Sequence, residues 1–290
     1  MTPSPEKISI VIPARNEAAS LADVLDRIRE HCRADEIIVV DDASTDATTD
    51  VAEQHGARVV RHPYRKGNGA AIKTGARAAT GEILVFLDGD GQHDPADIPR
   101  LLGLLDQGYD MAVGARGFAS QASVGRGLAN TFYNRLASWM VNHRVADLTS
   151  GFRAVRADKF GEFLYLLPNG FSYPTTCTMA FFRAGYSVAY QPIVAARRQG
   201  RSHLNPVRDG VRFLLIIFKI GSLYSPLKLF VPVSALFFAL ASVWYGHTFY
   251  TAGRFTNMSA LLYSTSLLVF LLGLISEQIT QLLYKDTERP

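Results

Sequence analysis

Cysteine is scarce: the 290 residues hold two, Cys32 and Cys177, far apart, with no CxxC pair and no histidine cluster beside them. That scarcity excludes a disulfide framework and a zinc site of ordinary spacing, and it implies a reducing compartment. No GxxxxGKS or GxxxxGKT run occurs, so the chain is not a P-loop NTPase. The stretch Gly67-Asn68-Gly69-Ala70-Ala71-Ile72 imitates GxGxxG but lacks the third glycine, and it follows the third strand where a dinucleotide fold wants it after the first. No internal repeat or low-complexity tract is present. The opening MTPSPEKISI has no apolar stretch of signal-peptide type, so no cleaved leader is expected and the first half is expected to fold in the cytoplasm. Net charge is a modest +4, which makes its placement more informative than its size.

What is present is organised around Ile83–Pro95, ILVFLDGDGQHDP. Ile83 to Leu87 is an unbroken apolar run of the kind that forms a buried parallel strand. Asp88-Gly89-Asp90 ends it, followed by Gly91-Gln92-His93-Asp94 and a proline. Ligands in open α/β sheets bind outside the carboxyl ends of the strands. Two carboxylates one residue apart on a glycine-softened turn can approach one hard cation there. Asp94 reads separately, as the N-cap of a helix over Pro95–Gln107. His93 reads as a turn residue rather than a ligand.

Around this strand the chain alternates. Lys7–Ile12 is a strand with Pro13–Glu17 as its turn, and Leu21, Val24, Leu25 and Ile28 mark one face of a helix. Glu36–Val40 is a strand ending in Asp41-Asp42, and Ala57–Arg61 is another. The loop His62–Asn68 leads into a helix through Ala79, and Met111–Gly114 is a fifth strand closed by Ala115-Arg116. This pattern predicts an α/β, Rossmann-like, mostly parallel, doubly wound sheet. Three strand ends converge in it: Pro13–Glu17, Asp41–Asp42 and Asp88–Gln92. Carboxylates and backbone groups there can hold a nucleotide's base and ribose while a metal holds its diphosphate. Lys66, Gly67 and Gly69 would add charge and a close backbone approach.

The second part differs. Val124–His143 reads as one long helix, and Asp147–Arg153 as a polar turn before a short strand. Asp147 either orders that turn or binds sugar; both readings stay open. Val207–Leu223 sets Arg208, Arg212 and Lys219 among apolar residues, as in a helix laid in a membrane interface. Leu229–Tyr245 and Met258–Ile275 carry no charge, and each approaches the ~20 residues that span a bilayer. A hairpin of two spans follows, at about 229–250 and 258–283, with cations on both outer flanks placing those flanks in the cytoplasm. Glu277 and Gln278 then lie near the headgroups.

In this order, IVIPARNE, IVVDDASTD, RKGNGAAIKTGA, LDGDGQHDP, DLTSGFRAVR and RRQGRSHL make the chain resemble the family-two glycosyltransferases with a GT-A fold. Within them it is similar to the dolichyl-phosphate mannose synthase and bacterial polyprenyl-phosphate glycosyltransferase group, from about Ile8 through Leu204. The resemblance implies a GT-A domain over 1–204, an amphipathic interfacial region over 205–228, and the hairpin with its cytoplasmic tail over 229–290. It implies that Pro13, Ala14 and Glu17 hold the nucleoside, that Asp42 contacts base or ribose, and that Lys66 lies near the donor. Asp88, Asp90 and Gln92 match the metal and diphosphate group, with Mg²⁺ or Mn²⁺ as the ion. Arg116 and Arg126 match arginines near the acceptor phosphate, and Arg197 matches a basic residue that closes over the diphosphate. His203 stands where the family usually has lysine, and Gly89 where alanine is common.

The implied activity is transfer of one sugar, with inversion, from a nucleotide-diphosphate sugar of the GDP-mannose or UDP-glucose type to undecaprenyl or dolichyl phosphate. The inner membrane is the implied location. A departing nucleoside diphosphate needs its charge stabilised, and a divalent ion with nearby Arg or Lys supplies that. A phosphate acceptor is already anionic and needs no strong general base, which fits a chain with no evident Ser–His pair. A processive polysaccharide synthase would carry a QxxRW motif and more spans, and neither is found. The other alternative is a non-catalytic nucleotide-binding membrane scaffold, against which the intact Asp88/Asp90 pair argues. Nucleic acid is not among the expected partners; self-association into a homo-oligomer stays open.

Overall fold

The computed structural model describes residues 6–116, 124–170, 173–194, 218, 221–222 and 225–285. The chain divides into two compact units, Met1–His203 and Leu204–Pro290.

The first unit is built on a seven-stranded sheet. Its strands are β1 (Ile8–Ala14), β2 (Glu36–Asp41), β3 (Arg58–Arg61), β4 (Ile83–Phe86), β5 (Met111–Arg116), β6 (Arg153–Arg156) and β7 (Val188–Ile193), in the order β3-β2-β1-β4-β6-β5-β7. β6 runs antiparallel to both its neighbours, β4 and β5. The other pairs are parallel, so the mostly parallel expectation holds. The helices are α1 (Ala18–His31), α2 (Thr48–Gln54), α3 (Asn68–Ala78), α4 (Ile98–Asp106), α5 (Val124–Val141), α6 (Ala157–Gly161) and α7 (Tyr173–Arg183). A 3₁₀ turn at Pro95–Asp97 precedes α4, with Asp94 capping it by accepting from Ala96 N.

The predicted face of α1 is the buried one: Leu21, Val24, Leu25 and Ile28 pack with Ile10, Ile12, Val85 and Leu87. Fully burying each such side chain is worth roughly 1.5–3 kcal/mol, which outweighs the lack of a capping bond from the side chain of the N-cap residue, Glu17. β1 extends further than its sequence suggests. Pro13 and Ala14, expected in the turn, pair with Val40 and Asp41 instead. β4 pairs with β1 only as far as Phe86 opposite Val11, so Pro13 lies where β1 has β2 alone beside it. A residue without an N–H is tolerated at such a half-edge position.

The second unit holds α8 (Pro226–Ala252) and α9 (Asn257–Lys285), a hairpin of two helices long and apolar enough to cross a membrane. α8 starts ahead of the expected span because Pro226, at its first turn, supplies a preset helical φ and needs no hydrogen-bond partner. The expected interfacial helix Val207–Leu223 lies almost wholly outside the described residues.

Candidate active site

The carboxyl ends of β1, β2 and β4 are fastened together by side-chain bonds. Asn16 N donates to Ser44 Oγ at 3.0 Å and Thr45 N to Asn16 Oδ1 at 2.9 Å. Glu17 N donates to Thr48 Oγ1 at 3.0 Å, and Ser20 Oγ donates to Gly89 O at 2.8 Å. Asn16 and Ala43 both adopt positive φ, which turns the two chains sharply at the same edge. The predicted convergence of Pro13–Glu17, Asp41–Asp42 and Asp88–Gln92 is therefore physical.

Asp42 is almost fully buried and is spent on its own loop. Its Oδ1 accepts from His62 Nδ1 (2.9 Å) and Lys66 N (2.7 Å), and Oδ2 from Gly67 N (2.8 Å). Burial alone would raise its carboxyl, but these bonds and the nearby His62 hold it below the ordinary range. The loop so ordered carries Lys66, which is exposed, with Nζ 5.7 Å from the Tyr64 ring centroid.

The close backbone approach expected at Gly67 and Gly69 is made to the chain itself rather than to a ligand. A Cβ on Gly69 would lie 2.0 Å from Pro168 O, and one on Gly67 2.6 Å from Asn169 O. Ala70 N donates to Asn169 O at 2.9 Å. Lys73 Nζ bonds Leu167 O at 3.0 Å and also reaches the Asn169 side chain. The 167–170 segment is thereby pinned to the start of α3.

Asp88, Asp90 and Gln92 are each half-buried at the end of β4, with Gly91 at φ +72 and Gln92 N donating to Asp90 Oδ1 at 3.1 Å. Among the described residues no three His, Cys, Asp or Glu side chains are gathered into a complete metal cage. Two carboxylates and an amide oxygen instead suit a hard cation whose other positions go to phosphate oxygens and water. The donor set fits Mg²⁺ or Mn²⁺ in that mode.

Beside Asp88 lies a cavity of about 130 Å³ lined by Asn68, Thr149, Gly151, Gly170, Tyr173 and Thr175 among others. Its walls come from the pinned 167–170 segment, the turn before β6 and the start of α7. Arg153, fully buried, braces two of them: Nη1 donates to Pro174 O at 3.2 Å, and Nη2 bonds Ser150 O. Its guanidinium lies 5.6 Å from the Tyr173 ring centroid. No sequence signal separates Arg153 from any other arginine in a short strand, and its bracing role went unread.

Arg116, at the end of β5, forks onto Asp147 through Nε (2.8 Å) and Nη2 (3.1 Å) and reaches Thr149 Oγ1 at 2.7 Å. Burial works against both charges, yet the pair wins: the guanidinium is raised and the Asp147 carboxyl lowered. Asp147 also accepts from Thr149 N and Ser150 N, so it orders the turn. His93 is buried, and desolvation takes its pKa down to about 4. Arg126 lies on α5 with its side chain outside the described residues, and Arg197 is also outside them.

Comparison with known proteins places these features. The family described as Glycosyl transferase family 2 matches residues 9–164, and a GtrB C-terminal hairpin matches residues 225–282. Glycosyltransferase AglJ of Haloferax volcanii is 28% identical across 99% of this chain and 98% of its own length. A dolichyl-phosphate hexose transferase of the same organism is 29% identical across 74% of this chain and 94% of its own. An undecaprenyl-phosphate 4-deoxy-4-formamido-L-arabinose transferase of Klebsiella pneumoniae is 35% identical across 53% of this chain, which spans half of that relative. Among solved structures, glucosyl-3-phosphoglycerate synthase of Mycobacterium tuberculosis bound to UDP superposes with a TM-score of 0.62, at 26% identity, over 75% of this chain and 80% of that one. The same enzyme with Mn²⁺, UDP and glucosyl-3-phosphoglycerate gives 0.58 at 28% identity, over 73% and 80%.

Proposed function

The chain belongs to glycosyl transferase family 2, and from that premise we propose that it moves one sugar from a nucleotide-diphosphate sugar to a polyprenyl phosphate at a membrane surface. The observation that carries this reading is the Asp88–Gln92 turn with its adjoining cavity, on a chain whose second unit is a membrane-type hairpin. The relatives named for dolichyl-phosphate and undecaprenyl-phosphate transfer support the acceptor class. The cations flanking the hairpin support a cytoplasmic catalytic unit with both termini on that side.

In this reading the nucleoside lies over Pro13, Ala14 and Glu17, with Asp42 acting through the loop that presents Lys66. Asp88, Asp90 and Gln92 would hold a divalent cation. When bound, that ion neutralises charge building on the leaving group. The sugar occupies the cavity, where Asn68, Thr149 and Thr175 offer hydroxyl and amide partners.

Arg116 turns Nε and Nη2 inward to Asp147 and is about a quarter exposed, so its outer edge can meet the anionic acceptor. Arg126 is assigned to the same phosphate, and Arg197 to the diphosphate from its other side. A phosphate oxygen of the acceptor attacks the anomeric carbon. The bond to the nucleoside diphosphate breaks with its electrons going to the β-phosphate, and the new bond forms on the opposite face. The attacking oxygen is already anionic at pH 7, so no strong general base is needed.

The test is the purified full chain in lipid nanodiscs with undecaprenyl phosphate and a panel of UDP-, GDP- and dTDP-sugars. A lipid-linked monosaccharide formed from one donor supports the reading. Release of free sugar alone, or of a polymer, would overturn it.

A further inference from the structure

His93 follows Gln92 directly, yet its ring points into the unit and not to solvent, with 5% of the residue exposed. It stacks on Phe152, the ring centroids 5.3 Å apart at 26°. Its Nδ1 is buried with no hydrogen-bond partner; Asp88 Oδ2 lies 3.9 Å from it, and the charges of Asp90, Asp147 and Arg116 also act on the ring. An unmet buried polar atom costs roughly 1–3 kcal/mol, and a phenylalanine would fill the same slot without that penalty. The neutral ring has a tautomer with the proton on Nδ1, which presents a donor to the carboxylate across this gap. Both sides are held. Asp94 after the ring is anchored by Arg27 at 2.6 Å, and Pro95 is buried. Gly151 also crowds this carboxylate, since a Cβ there would lie 3.0 Å from Oδ2.

We propose that His93 is a positioning residue for Asp88, closing an Nδ1–H hydrogen bond onto Oδ2 when a divalent cation and a diphosphate draw that carboxylate into its binding orientation. The proposal rests on Asp88 being a cation ligand. Partners of this kind hold a ligand's orientation and basicity, and losing one typically weakens metal affinity by about 10–100-fold. His93 would not touch the ion.

The experiment measures Mn²⁺ binding to the full chain in detergent by the electron paramagnetic resonance signal of free Mn²⁺, with UDP and in parallel with GDP. His93→Phe keeps the stack and the burial but deletes the nitrogen. His93→Asn places an amide N–H near Nδ1 but leaves the stack incomplete. His93→Phe should weaken Mn²⁺ binding by about 10–100-fold with Tm unchanged or raised, and His93→Asn should recover most of the affinity with Tm lowered. A purely packing role predicts the reverse order. Wild-type affinity in His93→Phe, or no recovery in His93→Asn, would overturn the proposal while leaving Asp88 a ligand. Failure of the wild-type chain to bind Mn²⁺ with either nucleotide would overturn both.

Discussion

Arg116 and Asp147 form a two-point ion pair, 2.8 Å and 3.1 Å, that locks the end of β5 to the turn before β6. The Asp147 side chain is 6% exposed, so removing its partner leaves a buried carboxylate uncompensated. Arg116→Ala should therefore cost about 3–5 kcal/mol in urea unfolding of the chain's first unit. Arg116→Lys should recover little, because an ammonium cannot fork. A cost below ~1 kcal/mol for the alanine variant would mean the pair contributes nothing net.

The same pair sets a pH dependence. The Asp147 carboxyl is depressed in the folded chain, so its stabilisation is complete above the unfolded value of about 3.9 and is lost as pH falls further, through the lower folded value. Asp147→Asn combined with Arg116→Gln should make stability less steep in acid while lowering it at pH 7. Unfolding midpoints taken from pH 7 down to pH 3 check this; an unchanged acid slope would remove Asp147 from the acid transition.

Gly69 and Gly103 offer a matched pair of alanine substitutions. A Cβ on Gly69 meets Pro168 O at 2.0 Å, whereas one on Gly103, inside α4, meets nothing within 4 Å. Gly69→Ala should destabilise by roughly 1–3 kcal/mol and displace the cavity wall, lowering sugar transfer with it. Gly103→Ala should stabilise by ~0.5–1 kcal/mol with transfer unchanged. Equal effects at the two sites would show that the 167–170 segment is not pinned by α3.

These glycines also mark what the sequence could reveal. Buried runs such as Ile83–Leu87 and the repeat of Leu21, Val24, Leu25 and Ile28 are local signals, and they placed the sheet and its first helix correctly. Asp88 and Asp90 stand out in the sequence because a helix cap accounts for Asp94 and not for them, and the structure places both at the end of β4. The partner of Gly69 is not local, so the sequence points to a close backbone approach there without showing that Pro168 makes it. Arg116 and Asp147 are 31 residues apart, and no period connects them. The same limit hid the antiparallel insertion of β6 and the extension of β1 through Pro13, both of which depend on which strand lies alongside.

Asp90→Ala should reduce sugar transfer by about 10²–10³-fold or more while leaving the fold within ~1 kcal/mol of wild type. Asp90 is half-buried rather than part of the apolar core, so little packing depends on it. Transfer at the wild-type rate with excess chelator present would remove the metal from the reading altogether.

The hairpin makes the last prediction. Ser234 and Ser266 bond reciprocally, each Oγ donating to the other's carbonyl at 2.9 Å, and Gly273 lies so close to α8 that a Cβ would meet Phe230 Cβ at 2.7 Å. In lipid, apolar faces gain nothing by meeting each other, so close approach at small residues and a few polar contacts must hold the helices together. The two devices differ in weight. A single interhelical hydrogen bond in a membrane averages ~0.6 kcal/mol and reaches ~1.7 at most, because an orphaned serine can fall back on its own helix. A leucine at 273 has no such retreat: it must push α8 away, losing the serine pair and the packing around Phe230 together. Gly273→Leu should therefore lower thermal stability of the hairpin in detergent well beyond Ser234→Ala, and beyond the Ser234→Ala, Ser266→Ala double variant. If the serine variants prove the more damaging, polar bonding rather than close approach holds α8 to α9.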